Sequence, residues 1–233
     1  MRDFKIETLH QYAAVGADAK HSLEPDKLEK TGYLIKPVFD LVFAALAVAF
    51  FAPFMLVVAV LIYAQDRGPI FFVHERVGRG GRKFRCLKFR TMVTDSQARL
   101  DRLLAESPEA RSEWEVQQKL RNDPRITGVG RFLRATSLDE LPQFFNVLFG
   151  QMSVVGPRPI VDSEIAKYSS DFVAYASVKP GVTGLWQVMG RSDTSYSERV
   201  HLDVQYVNNM NFIMDLRIIF KTISVVLNGR GAY

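Results

Sequence analysis

Two carboxylates stand side by side in TSLDELPQ, residues 136–143: Asp139 and Glu140. The chain around them is basic, with a formal net charge of +5 over 233 residues. Ser137 and Glu140 have the spacing of a capping box, in which the glutamate N–H donates to the serine oxygen and the serine N–H donates back to the carboxylate. Acids are also favoured in a first helical turn, which extends the capping explanation to Asp139. Pro142 sits badly with a plain helix start. It cannot donate to the Leu138 carbonyl, so it predicts a distortion beside the carboxylates. Helix N–H groups and Arg134 are expected to lower the pKa of Asp139 and keep it ionised at neutral pH. An ionised Asp139 could serve as a nucleophile or a metal ligand.

Other reactive groups are sparse. His10, His21, His74 and His201 are scattered without ligand spacing. Cys86 is the single cysteine, which excludes an internal disulfide and a cysteine-only metal site and fits a reducing compartment. No serine sits in a GxSxG elbow. Carboxylates, lysines and arginines remain, an inventory suited to phosphoryl transfer with a divalent cation, where catalysis is mainly positioning and charge neutralisation. The positive charge points to anionic partners: nucleic acid, phosphorylated metabolites or an acidic membrane surface.

The elements that must hold these groups begin with an uncharged run, LVFAALAVAFFAPFMLVVAVLIYA, from Leu41 to Ala64. It is long enough to cross a bilayer as a helix. Pro53 lies in its middle, where a spanning helix kinks. Lys27, Lys30 and Lys36 precede the run, and Arg67, Arg76, Arg79, Arg82 and Lys83 follow it. Positive flanks tend to stay cytoplasmic, so a hairpin entering and leaving one face satisfies both, while a straight span exports one. Asp40 follows Lys36 by four residues, a spacing for a structural pair on a helix. Residues 1–30 carry mixed charge and no apolar run, so no secretory signal is visible.

Phe71 to Arg90 reads as two strands flanking GRGG, a hairpin whose glycines match neither the dinucleotide nor the Walker pattern. Asp95 to Leu120 reads as one charged surface helix. Gly156, Pro157 and Pro159 lock Arg158 into a non-helical turn. Val178 to Asp193 reads as loop and short strand, and helical periodicity follows to the end of the apolar segment Phe212 to Leu227. That last segment suits either a membrane-surface helix or an ordinary core helix.

Five blocks carry a family resemblance: KPVFD, GPIFFVHERVGRGGRKFRCLKFRTM, DPRITGVGRFLRATSLDELPQFFNVLFGQMSVVGPRP, KPGVTGLWQVMGRSD and LDVQYV. In order and spacing the chain resembles the bacterial sugar transferases, the monotopic phosphoglycosyl transferases of exopolysaccharide, capsule and O-antigen assembly. The ending GRGAY and the block TGLWQVMGRSDTSY look most like the galactose- and glucose-phosphate transferases of exopolysaccharide synthesis. The resemblance implies a helix-rich α/β fold with a polar tail (1–32), a re-entrant membrane helix (33–65) broken at Pro53, and a cytosolic catalytic domain (66–233) holding a small β-hairpin and interfacial amphipathic helices. Family members bend at a proline often preceded by serine, where this chain has Ala52-Pro53. The multi-span N-terminal region of larger relatives is missing from the sequence, which reads as a minimal catalytic form.

The implied reaction moves a sugar-1-phosphate from a UDP-sugar to undecaprenyl phosphate with Mg2+, at the cytoplasmic face of the bacterial inner membrane and in contact with its lipid. Asp139 matches the nucleophile and Glu140 its partner, the two together holding Mg2+. Lys88 and Arg134 match basic active-site positions, Arg158 a phosphate-binding arginine, Arg191 a position linked to the nucleotide, and Asp203 an accessory acid. The sugar is expected to be a hexose, galactose or glucose. No nucleic-acid partner is implied, and a homodimer stays open. Two other readings compete: a membrane-anchored nucleic-acid or adaptor protein, which lacks any stacking or helix-turn-helix signature here, and a single-pass phosphatase, which would release free phosphate.

Overall fold

The computed structural model describes residues 27–117, 120, 122–189 and 195–227. Helix α1, Lys27–Asp66, runs through both Pro37 and Pro53 without a break in its assignment. The expected interruption at Pro53 is therefore not an end of the helix, and a bend there would be a kink inside it. From Ile35 to Asp66 the helix is apolar and long enough to cross a membrane by length and composition.

One face of α1 packs on the rest of the protein. Asp40, Ala44, Met55, Val58 and Ile62 are buried, while Leu46, Phe50, Leu56, Val57 and Val60 are exposed. Between Ala44 and Met55 no residue is buried. Both ends are tied by charge. Lys36 Nζ donates to Asp215 Oδ2 at 2.6 Å and to the Val155 carbonyl at 3.1 Å. Asp66 receives a two-pronged Arg90 guanidinium, Nη1 to Oδ2 at 2.7 Å and Nη2 to Oδ1.

Strands β1 (Phe71–Val77) and β2 (Lys83–Phe89) form an antiparallel hairpin in the register Phe71↔Phe89 to Val77↔Lys83. Its turn needs positive φ at Gly80 (68°) and Gly81 (71°), so the glycines serve chain reversal, as expected. The expected single helix from Asp95 divides in two, α2 (Ser96–Glu106) and α3 (Pro108–Gln117). Pro108 has no N–H to continue α2 but suits a first helical position, and Ser107 Oγ accepts from the Ala110 N–H at 3.1 Å.

Helix α4 is Gly128–Thr136, α5 is Gln143–Leu148. The short parallel pair β3 (Ser153–Val155) and β4 (Gly181–Thr183) is connected through α6 (Ile165–Tyr168) and α7 (Phe172–Ser177). Helices α8 (Leu185–Met189), α9 (Tyr196–Asn209) and α10 (Phe212–Leu227) complete the described chain. Ser195 and Glu198 form a capping box at the start of α9. Helix α10 is both core and surface: Asp215, Ile218 and Ile219 are buried, while Ile213, Phe220, Ile223 and Val226 are exposed.

The apolar face of α1 divides between two cores. Ala44 joins Phe84, Cys86, Val147, Val154, Tyr206 and Ile218, while Met55, Val58 and Ile62 join Phe89, Leu133 and Leu141. The hairpin strand β2 contributes to both, through Phe84 and Cys86 in one and Phe89 in the other.

Candidate active site

The dyad lies on a 3-10 turn, Leu138–Glu140, between α4 and α5. Helix α4 starts at a Thr127 cap, whose hydroxyl accepts from the Gly130 N–H at 2.9 Å. It ends at Ser137, which takes a left-handed backbone, φ 58°. Ser137 therefore closes α4 and opens the 3-10 turn through its backbone, its carbonyl accepting from the Glu140 N–H at 3.3 Å, while its side chain makes no cap. The capping box read from the sequence does not form. Glu140 turns away from Ser137, and its Oε1 accepts from Lys88 Nζ at 2.5 Å. The distortion expected at Pro142 is present. The Leu138 carbonyl accepts from the Leu141 N–H at 3.3 Å in place of the N–H that Pro142 lacks, and the Leu141 and Pro142 carbonyls accept from Phe144 and Phe145.

Lys88 reaches the dyad because β2 is bolted to α5. Buried Asn146 accepts from the Leu87 N–H at 2.9 Å and donates to the Arg85 carbonyl at 2.7 Å and to Gln151 at 2.7 Å. Arg134 is held from the other side, its Nε donating to Thr91 Oγ1 at 2.9 Å. Helix α4 can approach that segment because residue 130 is glycine: a Cβ there would sit 2.0 Å from the Thr91 carbonyl oxygen.

Charge and burial act against each other here. Burial pushes the Asp139 carboxyl up to about 6; Lys88 and Arg134 pull it down and Glu140 adds to the rise. This reverses the direction expected from the sequence, because enclosure outweighs the neighbouring cations. Asp139 is still mainly ionised at neutral pH. Burial opposes the charge of Lys88, but Glu140 and Asp139 outweigh it and hold the ammonium above its ordinary value.

The other residues named from the sequence fall elsewhere. Arg158 stands after β3, with its guanidinium carbon 5.5 Å from the Trp186 ring. Asp203 is buried on α9 and accepts from the Tyr168 hydroxyl at 2.7 Å. Burial pushes its carboxyl up to about 7, against the pull of the Tyr168 hydroxyl, Arg199 and the Arg158 backbone N–H. Arg191 lies outside the described residues. Pro53 is on α1 and is exposed.

Sequence reasoning passed over Arg199 and gave Arg76 only a topological role, yet both gather with Arg158 around Glu164 and Trp186. A signal for one existed: Arg199 precedes Asp203 by four residues on a helix. Nothing local pointed to Arg76.

As metal donors, Asp139 and Glu140 are adjacent hard carboxylates, which suits Mg2+ held by one or two carboxylates plus substrate phosphates. Among the described residues no group of three or more His, Cys, Asp or Glu forms a metal cluster, so further ligands would come from substrate and water. The open groove of about 320 Å³ beside α8 and α10, lined by Leu185, Val188, Met214, Arg217, Ile218, Phe220 and Lys221, contains none of these site residues.

The sequence model of the bacterial sugar transferases matches residues 31–229. The chain belongs to the bacterial sugar transferase family. Within it, the chain is 51% identical over 199 residues to a UDP-galactose-lipid carrier transferase of Erwinia amylovora, covering 85% of this chain and 42% of the relative. It is 50% identical over 205 residues to the undecaprenyl-phosphate galactose phosphotransferase of Salmonella typhimurium, covering 88% of this chain and 43% of that protein. It is 45% identical over 210 residues to the exopolysaccharide production protein ExoY of Rhizobium meliloti, covering 90% and 93%. The chain thus spans less than half the length of some family relatives and nearly all of another.

Proposed function

We propose that this family member transfers a hexose-1-phosphate, galactose or glucose, from a UDP-sugar to undecaprenyl phosphate and releases UMP. The observation that carries this is the convergence of Asp139 and Glu140 with Lys88 and Arg134, two carboxylates and two cations from three separate elements. The relatives' names point the same way. In the first step an Asp139 carboxylate oxygen bonds to the phosphorus that bears the sugar, and the bond from that phosphorus to the bridging oxygen of UMP breaks. In the second, an oxygen of the polyprenyl phosphate bonds to the same phosphorus and the carboxylate leaves. Mg2+, held by Asp139 and Glu140, would neutralise phosphate charge as UMP departs. Lys88 orients Glu140, and Arg134 would meet the diphosphate with a fixed guanidinium.

The two ends of α1 support one reading of the membrane arrangement. Lys36 and Asp66 are thirty residues apart, roughly 45 Å along a straight helix, against a hydrocarbon core of about 30 Å. Both residues bind partners in the same folded domain, Asp215 and Arg90. A straight crossing would separate them by the bilayer, so the contacts favour a helix that enters and leaves the cytoplasmic leaflet, with the unburied stretch between Ala44 and Met55 deepest. The exposed Ile213, Phe220 and Ile223 of α10, beside Arg217 and Lys221, suit the lipid surface of the inner membrane.

The test is made without lipid acceptor. Full-length protein is incubated with Mg2+ and a panel of UDP-sugars, and intact mass is read for a phosphosugar adduct. Wild type gains the adduct and releases UMP; Asp139→Asn does neither. Full turnover by Asp139→Asn rejects the covalent step, and the sugar that forms the adduct names the donor. For topology, single cysteines near Lys30 and Arg67 in a Cys86→Ser background are labelled from the periplasm. Labelling of the N-terminal site alone rejects the re-entrant helix.

A further inference from the structure

Three arginines meet outside the hydrogen bonds and ion pairs of the dyad. Arg76 comes from β1, Arg158 from the turn after β3 and Arg199 from α9. One carboxylate stands between two of them: Glu164 Oε2 is 3.9 Å from Arg76 Nη1, and its Oε1 is 4.0 Å from an Arg199 nitrogen. Those separations are too long for hydrogen bonds. Glu164 Oε2 instead accepts from the Val161 N–H at 3.0 Å. The Arg199 guanidinium carbon lies 4.3 Å from the Trp186 ring, with Arg158 on the same ring at 5.5 Å. Arg76 also donates to the Pro159 carbonyl at 3.2 Å, which ties it to the Arg158 turn.

The cluster carries more positive than negative charge: three arginines face Glu164 and Asp203, and burial holds the Asp203 carboxyl up at about 7. Burial lowers the proton affinity of both Arg76 and Arg199, and Arg158 lowers each further. Two buried donors, Trp186 Nε1 and Arg199 Nε, have no hydrogen-bond partner. Trp186 is only 8% exposed. An indole N–H and a guanidinium N–H can only donate, and a buried donor left unmatched is costly. A ligand that relieves both deficits carries negative charge and several acceptor oxygens, and guanidinium forks match phosphate in this way.

We propose that Arg76, Arg158, Arg199 and Trp186 form one receptor for a phosphate oxyanion, in which Arg76 and Arg199 are binding residues alongside Arg158. The proposal rests on the reading of Arg158 as a phosphate-binding residue and adds two arginines and an indole to it. Its relation to the dyad follows from the hairpin register. Phe72 pairs with Lys88 and Arg76 pairs with Phe84, so Arg76 and Lys88 share a face and lie four residues apart along the strands. That is roughly 13 Å between backbone positions at the usual rise per residue, a span that long lysine and arginine side chains narrow, and Cys86 between them is within electrostatic reach of Lys88, Glu140, Arg76 and Arg158. The phosphate is either that of the soluble nucleotide, whose sugar-bearing phosphorus lies at Asp139, or that of the lipid carrier.

The experiment separates these sources. Binding of UMP and, separately, of a short-chain polyprenyl phosphate in detergent micelles is measured by titration calorimetry on the full-length protein. The variants are Arg76→Gln, Arg199→Gln and Trp186→Phe, with Arg158→Gln as control and a melting curve for each. Trp186→Phe keeps an aromatic ring while removing the N–H and part of the ring system, and its melting curve separates lost packing from lost binding, so it tests the receptor even if an arginine variant unfolds. Each arginine variant is expected to weaken one ligand about 10-fold, and Trp186→Phe to weaken the same ligand by about 3-fold, on the scale of a charge-assisted and a neutral hydrogen bond. Loss confined to UMP assigns the receptor to the nucleotide, and loss confined to the polyprenyl phosphate assigns it to the carrier. If Arg158→Gln weakens binding while folded Arg76, Arg199 and Trp186 variants leave both affinities unchanged, the receptor is overturned and the proposed function stands. If Arg158→Gln is silent as well, the role of Arg158 falls and the receptor falls with it.

Discussion

Lys88 Nζ stands 2.5 Å from Glu140 Oε1, a pair made across 52 residues of sequence. The pair sets the charge around Asp139, because Lys88 lowers the affinity of that carboxylate for a proton and Glu140 raises it. The reactive form is deprotonated, so adduct formation should fall as pH drops through about 6. Glu140→Gln removes a repelling charge and should move this acid limb to lower pH. Lys88→Met removes an attracting one and should move it to higher pH. Pre-steady-state adduct formation measured across pH at saturating UDP-sugar reads both, and limbs that stay put in both variants count against Asp139 as the titrating group.

At the membrane end, Lys36→Met would leave Asp215 unpaired with its side chain only 2% exposed. Breaking a buried ion pair by removing one partner costs about 3–5 kcal/mol. Asp215→Asn should cost less, because Tyr206, whose hydroxyl is 2.7 Å from Asp215 Oδ1, can still donate to an amide oxygen. Denaturant titration in detergent, with the double variant Lys36→Met/Asp215→Asn, gives the coupling. Strictly additive losses would show that the two residues do not act as a pair.

The pH dependence of stability has a specific source in Asp203. Its folded carboxyl is at about 7 against an ordinary value of 3.8, so the folded state holds its proton more tightly than the unfolded chain. The contribution is complete below about 4 and is lost as pH rises through about 7. Asp139, raised to about 6, acts in the same direction. Asp203→Asn retains an acceptor for Tyr168 and should flatten the fall of Tm with pH across this window. An unchanged slope would remove Asp203 as its cause.

A paired substitution tests the approach of α4 to the Thr91 segment. In Gly130→Ala the new Cβ would meet the Thr91 carbonyl oxygen at 2.0 Å, so backbone must shift. Overpacking of this kind costs about 1–3 kcal/mol, and activity should drop with it because Arg134 loses its Thr91 anchor. Gly128→Ala, two residues earlier, meets nothing within 4 Å and should be neutral or slightly stabilising. Equal Tm and turnover in the two variants would contradict the close approach.

Read alone, the sequence determined the features written in local order. The apolar helix, the hairpin with its GRGG turn, the distortion at Pro142 and the non-helical setting of Arg158 all follow from composition and short-range stereochemistry, and all are present. Tertiary structure decided the partners. Ser137 and Glu140 have capping spacing, but a spacing states only what can meet; packing of β2 on α5 through Asn146 brought Lys88 to Glu140 instead. The pKa of Asp139 rose because enclosure depends on what covers a side chain, which no neighbour in sequence reveals. Arg76 and Arg199 meet at Glu164 for the same reason: contacts between distant segments are set by which apolar faces can be buried together, and charged side chains are carried to wherever that burial puts them.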